Sequence, residues 1–245
     1  MQGIRSIGAY AYFFLDCLRS ILQHGVPWDR VVDESYKLGI RSFPVLFTMA
    51  LFVGSNLAIQ GYAAFSSLGA GNLVGMFVAL AGVREVCPLL AATMVAAKAG
   101  TEMTAQLAVM RTKEQIDALE VMAIDPRSEL VAPGILAIMI TLPALTIITI
   151  AVSIGAALAV AVLQLGVDRG EFLSFLVGYL TAYDFFAAAF KSLFFGLIIA
   201  TVSGYFGFHS ERGPRGVGKA TNRAVVTMCI VVITLNFALT SLLYG

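Results

Sequence analysis

Long apolar stretches alternate with short charged ones along this chain. Asp, Glu, Lys, Arg and His are missing from residues 42–83, 130–167, 192–208 and 224–245. A helix needs about 20 apolar residues to cross the hydrocarbon of a bilayer. The pattern therefore predicts five crossings, at roughly 43–65, 73–97, within 130–164, 185–208 and 224–244. The third stretch is too long for one upright helix and too short for two with a turn, so a single tilted, projecting helix is expected there. The apolar runs are continuous rather than alternating, which excludes a transmembrane barrel. The predicted class is an all-α polytopic membrane protein.

Residues 4–23 carry a weaker, two-sided pattern. On a helical wheel Arg5, Tyr12, Asp16, Arg19 and Gln23 share one side, and Ile7, Phe14, Leu18 and Ile21 fall on the other. The apolar run is short, is broken by Asp16 and leads to no small-residue cleavage site, so a secretion signal is not expected. A helix lying in the membrane interface suits the pattern. The chain thus reads as one integral membrane domain over 1–245, with 1–41 interfacial and 42–245 as the transmembrane core. A further short surface helix is expected between Glu171 and Ala182.

Composition agrees with this reading. Only 13% of the residues are charged, against about 25% in a soluble domain. A net charge of +1 gives no reason to expect a nucleic-acid partner. Cys17, Cys87 and Cys229 are scattered and odd in number, and His24 and His209 have no acidic or thiol neighbours at ligand spacing, so no metal site is expected.

Basic residues orient the crossings. Arg111, Lys113 and Arg127 follow the second, and Arg212, Arg215, Lys219 and Arg223 follow the fourth. Five crossings with a cytoplasmic N-terminus place both basic loops in the cytoplasm. Within the second of these loops, residues 213–220 nearly fit a phosphate-binding loop. Ala220 stands where the Mg²⁺-binding hydroxyl is required, and the segment follows a membrane span rather than a strand. ATP hydrolysis is therefore not expected on this chain.

The segment 112–123 predicts a short amphipathic helix. Ile116, Leu119, Met122 and Ala123 fall on one face, and Glu114, Asp117 and Glu120 run along another. The dipeptide Asp125-Pro126 is expected to end it, because a residue before proline is pushed out of the α region. A helix set between two crossings in this way suits docking into a groove on a partner, with carboxylates at the rim.

Three stretches make the reading specific. Residues 84–90 (REVCPLL) resemble the R-E-x-x-P-x-L stretch of MlaE/YrbE permeases. Residues 113–122 (KEQIDALEVM), followed by Asp125-Pro126, resemble that family's T-E-Q-I-D-A-L-x-x-M-x-x-D-P pattern. Residues 216–221 (GVGKAT) with 224–226 (AVV) resemble its G-V-G-x-A-T…A-V-V segment. The resemblance runs from about Phe43 to the C-terminus. It implies the permease subunit of an ABC-type lipid transporter in the bacterial inner membrane, working as a dimer with itself or a sister permease. Two cytoplasmic ATPase subunits would hold the ATP and Mg²⁺, and an MCE-domain protein would bind substrate on the far side. The substrate would be a phospholipid or related lipid, and this chain would bind no cofactor and catalyse no reaction. In that picture Lys113, Glu114, Gln115, Ile116, Asp117, Leu119, Glu120, Met122 and Asp125 form the ATPase-coupling segment. The chain departs from the pattern at Ala97, Lys98, Gln106, Ala108 and Pro133-Gly134. The changes at Lys98 and Gln106 alter charge near the cytoplasmic mouth.

Charges inside the crossings are costly and mark protein-facing or water-facing positions. Arg84 and Glu85 are adjacent, so on a helix they point apart and need separate partners. Lys191 is the candidate for Glu85 and Asp184 for Arg84. Two readings follow for this group: a lipid pathway in which Arg84 meets a headgroup, or an ion-pair lock between helices. Lys98 and Glu102, at i and i+4, are expected to pair at the surface, and they complete the pathway candidates. Phe43, Leu46, Phe47 and residues 49–52, with Met76 and Phe77, are candidates to wall a lipid-tail chamber. Two other functions compete. An ion-gradient-driven secondary transporter would need midplane carboxylates, of which only Glu85 and Asp184 are available. An intramembrane hydrolase would need a serine and a base, for which Lys191 is the one residue within a span.

Overall fold

A computed structural model describes residues 8, 10, 12–20, 25–67 and 69–244. The described residues are almost wholly helical and include no strand. The helices are α1 (Trp28–Ser66), α2 (Gly71–Thr112), α3 (Gln115–Val121), α4 (Arg127–Leu163), α5 (Arg169–Tyr179), α6 (Ala182–Phe208) and α7 (Pro214–Tyr244). Among the described residues five of these, α1, α2, α4, α6 and α7, are long and apolar enough to cross a membrane. The predicted crossings are all present. The 130–164 stretch is one continuous helix, as expected.

The helices outrun the apolar segments that predicted them. α1 begins at Trp28 rather than near Phe43, and α2 runs on to Thr112 rather than ending near Ala97. With 39 residues at about 1.5 Å each, α1 is about 58 Å long, well beyond a hydrocarbon core of about 30 Å. Hydropathy reports only the part of a helix that suits lipid, and backbone hydrogen bonding continues past it.

Cα proximity divides the chain into two compact units. The first comprises 1–42, 95–141 and 194–233, and the second 43–94, 142–193 and 234–245. In the second unit Leu57, Val74, Val78, Ala157, Phe172 and Leu176 form a buried core in which short α5 is packed. Asp168 caps α5, its carboxylate accepting from Gly170 N–H at 2.7 Å and Glu171 N–H at 3.1 Å. Phe43, Phe47, Met49, Leu51 and Phe52 point outward, while Leu46 and Ala50 are buried. Most of the residues proposed to wall a chamber thus lie on an outer face of α1.

In the first unit the described residues 12–20 are helical. The protein-facing side is Phe13, Cys17 and Ser20, which are buried, while Tyr12, Leu15 and Leu18 are exposed. Phe13 packs edge-on against Tyr205 and His209. Asp16 pairs with Arg127 at 3.0 Å, and Ser20 Oγ donates to Asp125. Burial pushes the Cys17 thiol up to about 12, with Arg127 opposing the shift. Arg5, Ile7, Ile21, Gln23 and His24 lie outside the described residues.

Candidate functional site

Within the second unit, segments of three helices bring charge together within apolar surroundings. α2 widens into a π-helical stretch, Val78–Val86, that carries Arg84 and Glu85. Such stretches are frequent at functional sites. Arg84 Nε lies 2.8 Å from Asp184 Oδ1, and Lys191 Nζ lies 3.2 Å from Glu85 Oε1. Both pairings are the ones the sequence suggested.

Each partner is held further. Asp184 Oδ2 accepts from the Thr181 amide and the Thr181 hydroxyl, both at 2.8 Å. Lys191 Nζ also donates to Arg84 O at 2.9 Å and to Thr240 Oγ1 at 2.6 Å. Asn236 Nδ2 donates to Glu85 Oε2 at 2.9 Å. The Tyr244 ring lies under both cations, 4.8 Å from the Arg84 guanidinium carbon and 5.5 Å from Lys191 Nζ. Asp184 and Lys191 are fully buried, whereas the Arg84 side chain keeps 27% of its exposure and Glu85 34%.

This arrangement bears on the hydrolase alternative. The Lys191 ammonium is a donor to three acceptors, and the Thr240 hydroxyl beside it donates to Asn236 O at 2.8 Å. A charged lysine donating to a hydroxyl does not activate it as a nucleophile. Thr240, Tyr244 and Thr181 were not singled out in the sequence. A signal existed: 236, 240 and 244 recur every four residues and so share one face of α7.

The pair expected between Lys98 and Glu102 does not form. Lys98 Nζ donates to Arg41 O, and Glu102 pairs with the Arg41 guanidinium at 2.5 Å. A residue of α1 reaches both, and an i, i+4 rule within one helix takes no account of a neighbouring helix.

The second site lies in the first unit, around α3. Ile116 is fully buried against its own unit, so the start of the predicted apolar face is not free for a partner. The exposed apolar residues are Val121 (87%), Met122 (60%) and Ile124 (42%), at the far end of the helix. Two of the three carboxylates are engaged within the chain. Arg212 Nη1 lies 3.0 Å from Glu114 and its Nη2 2.5 Å from Asp117, which also pairs with Arg111 at 2.8 Å. Gly213 N–H donates to Thr112 Oγ1 at 3.2 Å on the same side. Lys113, Gln115 and Glu120 are exposed.

α3 does not end at Asp125-Pro126. It ends in a turn where Ala123 N–H donates to Glu120 O at 3.1 Å and Ile124 N–H to Leu119 O at 3.0 Å. This is a Schellman motif, with Ala123 at φ +59° where glycine is usual. Asp125-Pro126 instead opens α4, the Asp125 carboxylate accepting from Arg127 N–H at 3.0 Å. Proline suits the start of a helix because its missing N–H would have no partner there.

Residues 213–220, the near-match to a phosphate loop, form the start of α7. A Cβ on Gly216 would collide with the backbone carbonyl of Glu211, which accounts for that glycine without a phosphate. Lys219 pairs with Glu211 and holds its carboxyl below the usual carboxylate range.

Fold and site together define an integral membrane protein with five crossings, a charge cluster among three of them and a short helix between the second and third. The chain belongs to the MlaE permease family, whose model, described as Permease MlaE, matches residues 31–242. It is 31% identical to the intermembrane phospholipid transport system permease protein MlaE of Haemophilus influenzae, over 98% of this chain and 93% of that one. It is 32% identical to a probable ABC transporter permease protein of Rickettsia typhi, with the same coverage. A probable ABC transporter permease protein of Synechocystis is 32% identical over 96% of this chain and 90% of its own length.

Proposed function

We propose that this chain is the permease subunit of an ABC-type lipid transporter of the bacterial inner membrane, moving a phospholipid or related lipid with energy from ATP hydrolysed on a partner ATPase. It would be non-catalytic and bind no cofactor, the ATP and Mg²⁺ residing on the partner. It would pair with a second permease copy or sister chain and receive or deliver lipid through an MCE-domain protein. The names borne by the relatives support this reading. The observation that carries it is α3, a short helix between two crossings. It is backed by arginines from its own chain and presents Val121 and Met122 outward. Large exposed apolar side chains on a braced helix suit a groove on a second protein.

The coupling segment is accordingly refined. Lys113, Gln115, Glu120 and Met122, with Val121, form the face offered to the ATPase. Ile116, Asp117 and Glu114 hold the helix in place, Leu119 is half-buried, and Asp125 starts the next crossing. Arg84 serves both readings given for the charge cluster. Its Nε is anchored on Asp184, and its partial exposure leaves donors for a lipid phosphate.

The test is copurification in mild detergent, followed by ATP-dependent lipid transfer from proteoliposomes. Val121→Asp with Met122→Asp is expected to release the ATPase subunit and abolish transfer while the permease still folds. Retention of the ATPase by that double variant would sink the docking assignment. The same reading puts Lys113 in the cytoplasm, so Lys113→Cys should take an impermeant thiol reagent only in inside-out vesicles.

A further inference from the structure

The first unit contains a cavity of about 300 Å³, lined by none of the residues of the charge cluster or of α3. This is at the lower end of the ~300–1,000 Å³ typical of ligand pockets. It lies between the start of α1, the second half of α2 and the start of α4. Leu38, Met103, Leu107, Met110, Leu130 and Ile138 supply apolar wall, and charged side chains of both signs share the rest of the lining with small and polar residues.

The neighbouring face of α1 locates this cavity with respect to lipid. Trp28, Val32, Tyr36 and Ile40 recur every four residues and are 65%, 64%, 69% and 53% exposed. A stripe of that kind, with a tryptophan and a tyrosine in it, belongs against the headgroup and upper acyl region of a bilayer. The charges of the same helix segment, Asp33, Glu34, Lys37 and Arg41, line the cavity. The helix thus turns its apolar side outward and its charges, themselves largely exposed, toward a partly open cavity.

The balance of those charges selects a ligand. Three cations, Arg30, Lys37 and Arg41, line the cavity with four carboxylates, Asp33, Glu34, Glu102 and Glu129. Arg30 is paired with Glu129 at 2.7 Å, Lys37 with Glu34 at 3.3 Å and Arg41 with Glu102 at 2.5 Å. Asp33 is left as the carboxylate with no ion pair among the described residues. Exposed pairs such as Lys37–Glu34 contribute little, so a phosphate can displace one at small cost. An anionic headgroup would find no counter-charge to spare, whereas a headgroup carrying an ammonium brings the partner that Asp33 lacks.

We propose that this cavity seats the headgroup of a zwitterionic phospholipid, its phosphate against Lys37 and Arg41 and its ammonium against Asp33. The cavity is too small for a whole lipid, and the acyl chains leave along Leu38 and Met103 toward the stripe. The proposal rests on the reading of the chain as a lipid permease and adds the headgroup class and an entry point.

Native mass spectrometry of the full chain in detergent tests it without any ATPase present. The chain is titrated separately with dioleoyl phosphatidylethanolamine, phosphatidylcholine and phosphatidylglycerol. The wild type is expected to retain the two zwitterionic lipids about fivefold better than the glycerol lipid, the ~1 kcal/mol of one partly exposed charge pair. Asp33→Asn should remove that preference, Asp33→Glu should keep it, and Lys37→Gln with Arg41→Gln should lower retention of all three. Trp28, the one tryptophan of the chain, gives a second readout. Its fluorescence should be quenched by acyl-brominated phosphatidylethanolamine in the wild type and less so in Asp33→Asn. An unchanged preference in Asp33→Asn, or a wild type that favours phosphatidylglycerol, overturns the proposal. Either outcome leaves ATPase copurification untouched, so the two readings fail separately.

Discussion

Arg212 Nη2 lies 2.5 Å from Asp117 Oδ2, fastening the loop before the last crossing to the short helix between the second and third. The other arm of the same guanidinium reaches Glu114, and Arg111 closes on Asp117 from α2. A force applied to α3 is therefore passed to α2 and α7 together, through charge-assisted contacts with fixed geometry.

Replacing Arg212 by Gln should separate attachment from transmission. These are partly exposed pairs, worth about 0–1 kcal/mol each, so folding should be nearly unaffected. The ATPase should still copurify, because Val121 and Met122 are unchanged, while ATP-dependent lipid transfer falls several-fold. Transfer at the wild-type rate would show that the clamp plays no part.

Both ion pairs of the buried charge cluster should be sensitive to loss of one partner. Glu85→Gln leaves the fully buried Lys191 ammonium without its counter-charge, and losing one partner of a buried pair costs about 3–5 kcal/mol. Partial exposure of Glu85 puts the expected loss at the low end, visible as a lower unfolding temperature in detergent. Arg84→Gln likewise strips the counter-charge from fully buried Asp184, which keeps both Thr181 hydrogen bonds, so some loss of stability is expected there too. Its further expected effect is on lipid flux, with the ATPase still bound. Collapse of the fold in Arg84→Gln would instead favour a purely structural lock.

Ala123→Gly should stabilise the end of α3. Alanine at φ +59° carries a left-handed penalty of about 1 kcal/mol that glycine escapes. Hydrogen exchange of the Ala123 and Ile124 amides, which close the turn, should slow in the variant. Faster exchange there would contradict the assignment of the motif.

Close helix packing gives a paired test. A Cβ on Gly54 would collide with backbone atoms of Ser153, while one on Gly155 would meet nothing within 4 Å. Gly54→Ala should lower the yield of folded protein, by an overpacking cost of about 1–3 kcal/mol or more because backbone has to move. Gly155→Ala should be neutral or slightly stabilising.

Cys17 should resist alkylation. Its thiol is buried and pushed up to about 12, so the reactive thiolate is scarce at neutral pH. N-ethylmaleimide at pH 7.5 should modify it only after unfolding in dodecyl sulfate, read by peptide mass. Rapid native labelling would mean that the 12–20 helix leaves its site.

The sequence by itself determined the number of crossings and the helical class, and it narrowed the partners of Arg84 and Glu85 to two candidates. Each follows from a local or scarce quantity. Apolar run length is a property of consecutive residues, and few intramembrane charges exist to pair. Tertiary structure decided the rest. It turned Ile116 inward, brought Arg212 onto Glu114 and Asp117 across nearly a hundred residues, and gave Lys98 and Glu102 to Arg41 rather than to each other. It also formed the partly open cavity beside Asp33. Which way a helix face turns, and which charges are consumed within the chain before any partner arrives, depend on neighbours distant in sequence, and hydrophobic periodicity carries no record of them.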